Sequence, residues 1–406
     1  MPVVQDFRCR RVGGAMWPKR NTAFFVIHGA GAHRPFETLD LFVRGFWASM
    51  GAEYSQFQDC WRHELLRRPG RVDHYVSLAP EGRPKLSFLE YYWDLHVDHK
   101  VGIEETIDWL QQVSDSARRF YSARPELAIA HQREGSDLFR DGDFRVGGYF
   151  VHFGWVGQLL YVLNLLGLAR IPVVSSVIAL ALDRATGWIS EMMGDLVIYT
   201  TSDVRSPSYA VRQAVLDAAV EELKLLLRQD DFERVVIVGH SLGSLIAYDA
   251  INRIIVDLNV GNGIRREHAR KLAGLVTFGS PLDKVAFYFR DRLPADAYVH
   301  QQIVAQQNAF RRRAFPGEQF AVTIGNPLES RLDAARWLNF YHLKDPIGGH
   351  LDAYDVDHNI ECDVAVSGAV DAHSSYWFHA PMYLEMCRVF FLNPVDTLIP
   401  EVARRG

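Results

Sequence analysis

A five-residue motif, Gly239-His240-Ser241-Leu242-Gly243, constrains the fold of this chain more than any other feature. It follows the apolar, β-branched run 234–238, which is typical of a buried strand, and it precedes a helical pattern at 244–256. A serine on such a sharp strand-to-helix turn is held clear of the backbone in a strained conformation. The flanking glycines are required because a Cβ at either position would collide with neighbouring elements. The motif therefore predicts that Ser241 is presented at the N-terminus of a helix, where the helix dipole is positive.

Apolar runs alternate with helical patterns along the rest of the chain. Strands are predicted at residues 22–28, 86–93, 234–238, 275–278, 337–343 and 363–366, and helices at 208–228, 244–256 and 376–391. Strands that alternate with helices form βαβ units, so we predict an α/β fold with a mostly parallel sheet flanked by helices. Sites in such sheets lie at the carboxyl ends of the strands.

A long insertion separates the second and third predicted strands. We assign residues 1–97 and 202–406 to the α/β domain and residues 98–201 to a large, largely helical apolar insertion. Its apolar segment, 146–182, is interrupted by Arg170 and Pro172, which leaves pieces shorter than the ~20 residues that span a bilayer. Three interpretations of this segment stay open: a lid or membrane-docking cap, a buried pair of core helices, and a transmembrane span.

Composition and charge argue against several classes of protein. Across 406 residues, 44 Lys and Arg against 49 Asp and Glu give a net charge of −5, so no nucleic-acid partner is expected. The 4 cysteines are far apart, which excludes a disulfide scaffold and favours a reducing compartment. The N-terminus lacks an apolar signal-peptide core, so we expect a cytoplasmic protein, with membrane association left open. No phosphate loop, dinucleotide fingerprint or metal-ligand spacing is present, so neither cofactor nor metal is predicted.

A nucleophilic serine needs a base to take its proton and amide donors for the developing oxyanion. The N–H of Leu242, fixed by the turn, is one predicted donor. The loop His28-Gly29-Ala30-Gly31 follows another predicted strand, and its small residues let backbone amides approach a substrate. We assign Ala30 as the second donor and Gly31 as the alternative, while a plain tight turn remains a competing interpretation. His28 and His33 are interpreted as structural.

These residues resemble the α/β-hydrolase superfamily, in particular its lipase and esterase branch. The resemblance is carried by the His-Gly-Ala-Gly loop at 28–31, the Gly-His-Ser-Leu-Gly elbow, and Thr-Phe-Gly-Ser-Pro at 277–281. It implies a catalytic triad in the chain order Ser, acid, His, with the acid after the second-last strand and the histidine after the last. The loop at 28–31 departs from the fuller His-Gly-Gly-Gly form, and the insertion has no counterpart in the simplest family members.

Carried onto this chain, the resemblance assigns Ser241 as nucleophile, Asp345 as acid and His373 as general base. Asp345 ends the run Trp-Leu-Asn-Phe-Tyr-His-Leu-Lys-Asp-Pro, and His373 lies in the loop after the last predicted strand. Other candidates remain for both partners. For the base they are His350, His358 and His379, and for the acid they are Asp283, Asp352, Asp355 and Asp357.

The implied function is a serine hydrolase that cleaves carboxylic esters through an acyl-enzyme. The apolar insertion favours a small-molecule or lipid ester as substrate and peripheral contact with a membrane. Thioesterase or acyltransferase activity would use the same residues. A non-catalytic, membrane-docked scaffold of the same fold is the alternative from a different class of protein.

Overall fold

A computed structural model describes most of the chain, including parts of the insertion at 98–201. The described residues are 16–31, 33–68, 71–96, 103–133, 138–145, 162, 166–167, 171, 187–200, 206–285, 296–313, 322–329, 332, 334–345, 347–366 and 369–391. Apart from four isolated positions, the apolar segment 146–182 lies outside them, so its three interpretations stay predictions. Among the described residues, no helix combines the length and the apolar character needed to cross a membrane.

A mixed sheet of 8 strands runs through the centre of the described structure. Its strands are β1 (Thr22–Ile27), β2 (Trp61–Arg68), β3 (Arg71–Leu78), β4 (Leu86–Tyr91), β7 (Arg234–His240), β8 (Leu272–Phe278), β9 (Arg336–Tyr341) and β10 (His358–Glu361), while β5 (Phe139–Arg140) and β6 (Asp143–Phe144) form a separate hairpin. The order across the sheet is β10-β9-β8-β7-β1-β4-β3-β2. All neighbours from β10 to β4 pair in parallel, which confirms the predicted mostly parallel α/β sheet.

Two parts of the sheet differ from the sequence-based prediction. The antiparallel pair β2–β3 at one edge was not predicted. The last strand is β10, not residues 363–366. The amide of Cys362 still bonds to the carbonyl of Tyr341 on β9, but that of Val364 turns back to the carbonyl of Cys362. This tight turn directs the chain away from the sheet before the predicted strand can form.

Helices cover both faces of the sheet. They are α1 (Glu37–Met50), α2 (Ala52–Ser55), α3 (Ile103–Ser122), α4 (Pro125–Arg133), α5 (Gly187–Thr200), α6 (Pro207–Arg228), α7 (Leu242–Val260), α8 (Arg266–Ala269), α9 (Tyr298–Gln307), α10 (Ala369–Ser374) and α11 (Ala380–Phe391). The long helix α6 begins where the Ser206 side chain accepts the N–H of Ser208, with Pro207 in the first turn, a favourable N-terminal pair.

Alternation along the buried strands divides the apolar core into two layers. In β1, Phe25 and Ile27 belong to the layer beneath α6 and α7, whereas Phe24 and Val26 belong to the layer beneath α1 and α11. Successive side chains of a strand point to opposite faces, so a strand buried on both sides reads as a continuous apolar run. Packing of these two layers brings the carboxyl ends of β1, β7, β8 and β9 together at the same end of the sheet.

Candidate active site

Ser241 occupies the sharp turn between β7 and α7. Its backbone has φ 50° and ψ −125°, a conformation rarely adopted by residues other than glycine. The Ser241 amide bonds to the carbonyl of Phe278 at 3.0 Å, which ties the turn to the end of β8. A Cβ on Gly239 would stand 2.5 Å from Cα of Ser244, and one on Gly243 would overlap the carbonyl of Ile27. Both glycines are therefore required by close packing, as predicted.

The Ser241 side chain is buried, and its hydroxyl is unbonded among the described residues. The residue is 1% exposed, and its Oγ makes no hydrogen bond within the described part of the chain. The neighbouring Ser244 hydroxyl instead donates to the backbone carbonyl of Ser241, and so supports the turn without engaging Oγ. A buried hydroxyl without a partner is unfavourable for stability, so Ser241 is an unusual residue in this core.

His373 and Asp345 form the second part of the site. Nδ1 of His373 lies 2.9 Å from Oδ1 and 3.0 Å from Oδ2 of Asp345, and both side chains are buried. A carboxylate only accepts, so Nδ1 carries the proton and Nε2 is left as the basic nitrogen. Two further donors hold the carboxylate: the Tyr376 hydroxyl bonds to Oδ2 at 2.6 Å and the Ile347 amide bonds to Oδ1 at 2.8 Å.

The surroundings of Asp345 keep it ionised. Burial would raise its pKa, but the charge and hydrogen bond of His373, together with Lys284 and Tyr376, bring the pKa well below its ordinary value. Lys284 is half-buried, and removal of its amine from water lowers the pKa of that amine to about 8. Its Nζ donates to the carbonyl of Gly348 at 3.0 Å, so a cation is fixed beside the acid.

His240 connects the serine turn to His373. Its ring centroid lies 4.9 Å from that of His373, and its Nε2–H donates to the His373 carbonyl at 3.1 Å. Burial, and then the neighbouring His373, lower the pKa of His240 well below the usual range, so this ring stays neutral. Cε1 of His373 also lies against Gly279. Gly279 directly follows Phe278, whose carbonyl accepts the amide of Ser241. Ser241 and His373 are therefore neighbours on the same edge of the sheet.

The loop after β1 lies against the serine turn. A Cβ on Gly29 would stand 2.9 Å from Cβ of Ser241, so only a glycine permits this approach. The amides of Ala30 and Leu242 have no hydrogen-bond acceptor among the described residues. The amide of Gly31, the alternative donor, is engaged by Oδ2 of Asp195 on α5 at 2.8 Å. Of the two candidate amides, that of Gly31 is bonded to a described side chain and that of Ala30 is not.

Two histidines and a carboxylate fix the shape of this loop. His28 donates from Nδ1 to the carbonyl of Gly29 and accepts the amide of Trp93 at Nε2, and burial lowers its pKa to about 3. The His33 amide bonds to Oδ2 of Asp94 at 2.7 Å. Burial, with smaller contributions from the charges of Asp195 and Glu90, raises the pKa of the Asp94 carboxyl to about 7, while the hydrogen bond from the His33 amide acts to lower it. Both histidines therefore support the loop, and their interpretation as structural residues stays a prediction.

The competing carboxylates and histidines have other partners. Asp283 accepts the amides of Asp352 and Ala353, and Asp352 lies beside His131 and His350. Asp355 lies beside Arg313. Asp357 contacts Arg311, Arg336 and the amide of Trp337. Of the histidines, His350 lies beside Asp352, His358 is exposed on β10, and His379 follows the 3₁₀ turn Ser375–Phe378. Asp345 is the carboxylate that the structure brings to His373.

Three residues of the site were missed by the sequence analysis: Tyr376, Lys284 and Asp195. Tyr376 follows His373 by three residues, the spacing that brings side chains to one side of a helical turn, so a signal existed for it. Lys284 and Asp195 approach the site only through tertiary packing, and no local pattern marks them.

Comparisons of the chain with protein-family models, with curated protein sequences and with solved structures found no match.

Proposed function

We propose that this protein is a serine hydrolase of the α/β-hydrolase fold that cleaves carboxylic esters. The observation that carries the proposal is the left-handed backbone of Ser241 (φ 50°) on the strand-to-helix turn, beside a histidine that Asp345 orients. A strained, buried serine with an unbonded hydroxyl is costly unless the hydroxyl is used. A base within the same buried cluster is what that use requires.

In the proposed reaction, Oγ of Ser241 attacks the ester carbonyl while Nε2 of His373 takes the hydroxyl proton. The negative oxygen that develops is stabilised by the amides of Ala30 and Leu242. His373 then protonates the departing alcohol, which leaves the acyl group on Ser241. Water, deprotonated by the same nitrogen, releases the acid and restores the serine. Asp345 orients the imidazole and stabilises its cation without taking the proton.

The hydroxyl of Ser241 is not hydrogen-bonded to His373 in the structure. Hydrogen bonds of catalytic groups are often loose in the absence of substrate and tighten when it binds. The same observation favours the competing hypothesis of a scaffold that keeps the fold without turnover, because a scaffold needs no such bond.

Reaction with a fluorophosphonate probe separates these hypotheses. We expect the purified chain to become labelled and Ser241→Ala to lose all labelling. Ser374→Ala removes an exposed hydroxyl next to His373 and is the matched control, which we expect to label like the wild type. An unlabelled wild-type protein with intact structure would support the scaffold and contradict the hydrolase.

The acyl part of the substrate is proposed to be apolar. Ser241 and His373 are 1% and 3% exposed, so an ester enters a site closed to bulk water. The apolar segment 146–182, known from the sequence alone, is proposed as its cover and as a contact for membranes. A p-nitrophenyl ester series should show rates that rise with chain length; activity confined to acetyl and butyryl esters would remove the lipid part of the proposal. Assays of the same enzyme with thioester substrates, and with an alcohol as acyl acceptor, test the thioesterase and acyltransferase alternatives.

A further inference from the structure

A second polar cluster lies outside the proposed catalytic residues. It consists of His131 from α4 and of His350 and Asp352 from the loop between β9 and β10. Each residue offers one ligand atom, and these atoms all lie within 4.8 Å of one another. Nε2 of His131 is 2.7 Å from Oδ2 of Asp352, and Nδ1 of His350 is 2.9 Å from Oδ1 of the same carboxylate. Two imidazoles and one carboxylate are typical ligands of zinc.

His350 and Asp352 are close but poorly aligned for a hydrogen bond. Nδ1 of His350 is buried and lies close to Oδ1, yet it is out of line for a hydrogen bond to any described group. The rings of His131 and His350 stand nearly perpendicular, at 72°, with centroids 5.3 Å apart. A buried ring nitrogen without an aligned partner, beside a carboxylate and a second imidazole, is the arrangement expected of ligands that share an ion.

Asp352 is held in place by groups that do not belong to the cluster. The Tyr121 hydroxyl donates to its Oδ2 at 2.9 Å. The buried carboxylate of Asp283 accepts the amides of Asp352 and Ala353 at 2.7 and 3.1 Å, which fixes the loop. Partners of this kind orient the direct ligands in metal sites and contribute to metal affinity.

The cluster borders a cavity of about 80 Å³. His131 and His350 line it together with the polar Tyr121 and Asp283 and with apolar side chains such as Phe139. A cavity of this size, lined in part by polar groups, has room for water molecules. A fourth position on an ion bound by the three side chains would open towards it, as in three-ligand zinc sites that complete their coordination with water.

We propose that His131, His350 and Asp352 bind one Zn²⁺ ion, with water from the cavity as the fourth ligand. Ligands about 2.0–2.2 Å from a tetrahedral zinc stand roughly 3.4 Å apart, so small side-chain rotations from the present contacts suffice. The ion joins α4, which precedes the apolar segment, to the loop that follows Asp345. The sequence predicted no metal because His131 lies more than 200 positions before the other two ligands, so no local spacing marks the set.

Zinc titration of the chelator-stripped protein tests this proposal. Zinc affinity is measured by competition with a chromophoric chelator. We expect the wild type to bind one Zn²⁺ per chain. We expect His131→Ala and His350→Ala to bind zinc at least about 100-fold more weakly. Asp352→Asn keeps the shape and the Tyr121 contact but loses the charged ligand, and should weaken binding similarly. His358→Ala, an exposed histidine of the same region, is the control with unchanged affinity. Wild-type binding in all three variants, or none in the wild type, would overturn the proposal.

A spectroscopic measurement on the wild type guards against unfolded variants. Co²⁺ bound in the proposed site should give the intense visible absorption of a four-coordinate ion and should be displaced by one equivalent of Zn²⁺. The weak spectrum of an octahedral ion, or loss of signal in His358→Ala alone, would contradict these ligands.

Discussion

The hydroxyl of Tyr376 donates to Oδ2 of Asp345 at 2.6 Å and accepts the amide of His342 at 3.0 Å. Burial and the neighbouring carboxylate raise the pKa of this phenol well above its ordinary range, so it remains a donor at every working pH. One side chain thereby fixes the carboxylate that orients His373 and anchors the chain just after β9. Tyr376 is therefore expected to be a positioning residue of the proposed reaction.

Replacing Tyr376 by Phe should lower kcat with little change in KM, because the Asp345–His373 pair loses part of its support. The lost bond to a charged group should also cost about 1.5–3 kcal/mol of unfolding free energy. Tyr383→Phe is the control, since that hydroxyl donates only to the neutral carbonyl of Trp377 at 3.1 Å. Ester kinetics and urea unfolding measure both effects; an equal fall of kcat in the two variants would indicate a general loss of stability instead.

Replacing Asp345 by Asn tests which carboxylate serves as the acid. We expect kcat to fall by about 10⁴, because the amide favours the wrong imidazole tautomer. Asp357→Asn removes a carboxylate that contacts Arg311 and the Trp337 amide instead, and should leave kcat near that of the wild type. The ratio of the two kcat values under saturating ester is the measurement. A larger fall of kcat in Asp357→Asn than in Asp345→Asn would indicate that Asp345 is not the acid.

The bond from the Gly31 amide to Asp195 links α5 to the proposed oxyanion loop. Asp195→Ala should release this loop and lower kcat by up to about 10²–10³, the loss expected when an oxyanion donor is misplaced. Asp195→Asn keeps an acceptor and should retain most of the activity. If the amide of Gly31 is itself the oxyanion donor, the alanine variant should be faster than the asparagine variant.

Strands buried on both faces could be predicted because they are short continuous apolar runs, as in β1 and β7. The pair β2–β3 escaped prediction because its sequence mixes charged residues such as Arg62 and Glu64 with a few apolar ones, as edge strands do. The residues 363–366 look like a strand locally, yet the turn at Cys362 removes them from the sheet. Local pattern thus identifies buried strands and fails where a tertiary turn decides.

The site shows the same division. The elbow around Ser241 has a local cause, since its glycines and the adjoining strand and helix are contiguous in the chain. The choice of Asp345 among nearby carboxylates depends on distances across the fold, as does the approach of Lys284 from the end of β8. The proposed zinc ligands could not be predicted, because helix α4 and the loop after β9 meet only after the sheet has formed.

Asp94 should make the stability of the protein depend on pH. Its folded pKa is about 7, above the ~3.9 of an unfolded aspartate, so the folded state binds the proton more tightly. Stability from this group is fully present below about pH 4 and declines as pH rises towards 7. Asp94→Asn retains an acceptor for the His33 amide and should remove that decline. As pH rises from 4 to 7, the melting temperature of Asp94→Asn should therefore increase relative to that of the wild type. The difference in melting temperature between the exposed Asp40→Asn variant and the wild type should stay constant over the same range.

Ser241 should be a destabilising residue. Its left-handed backbone costs roughly 1–3 kcal/mol for any residue except glycine. Its buried hydroxyl, without a partner among the described residues, adds a desolvation cost of about 1–3 kcal/mol. Ser241→Ala should therefore unfold at higher urea concentration than the wild type by removing the hydroxyl, and Ser241→Gly should also relieve the backbone. Ser244→Ala, which loses bonds to the Ser241 carbonyl and to Ser280, should unfold earlier. A loss of stability in both Ser241 variants would show that the hydroxyl supports the fold, and the argument that it is retained for catalysis would fail.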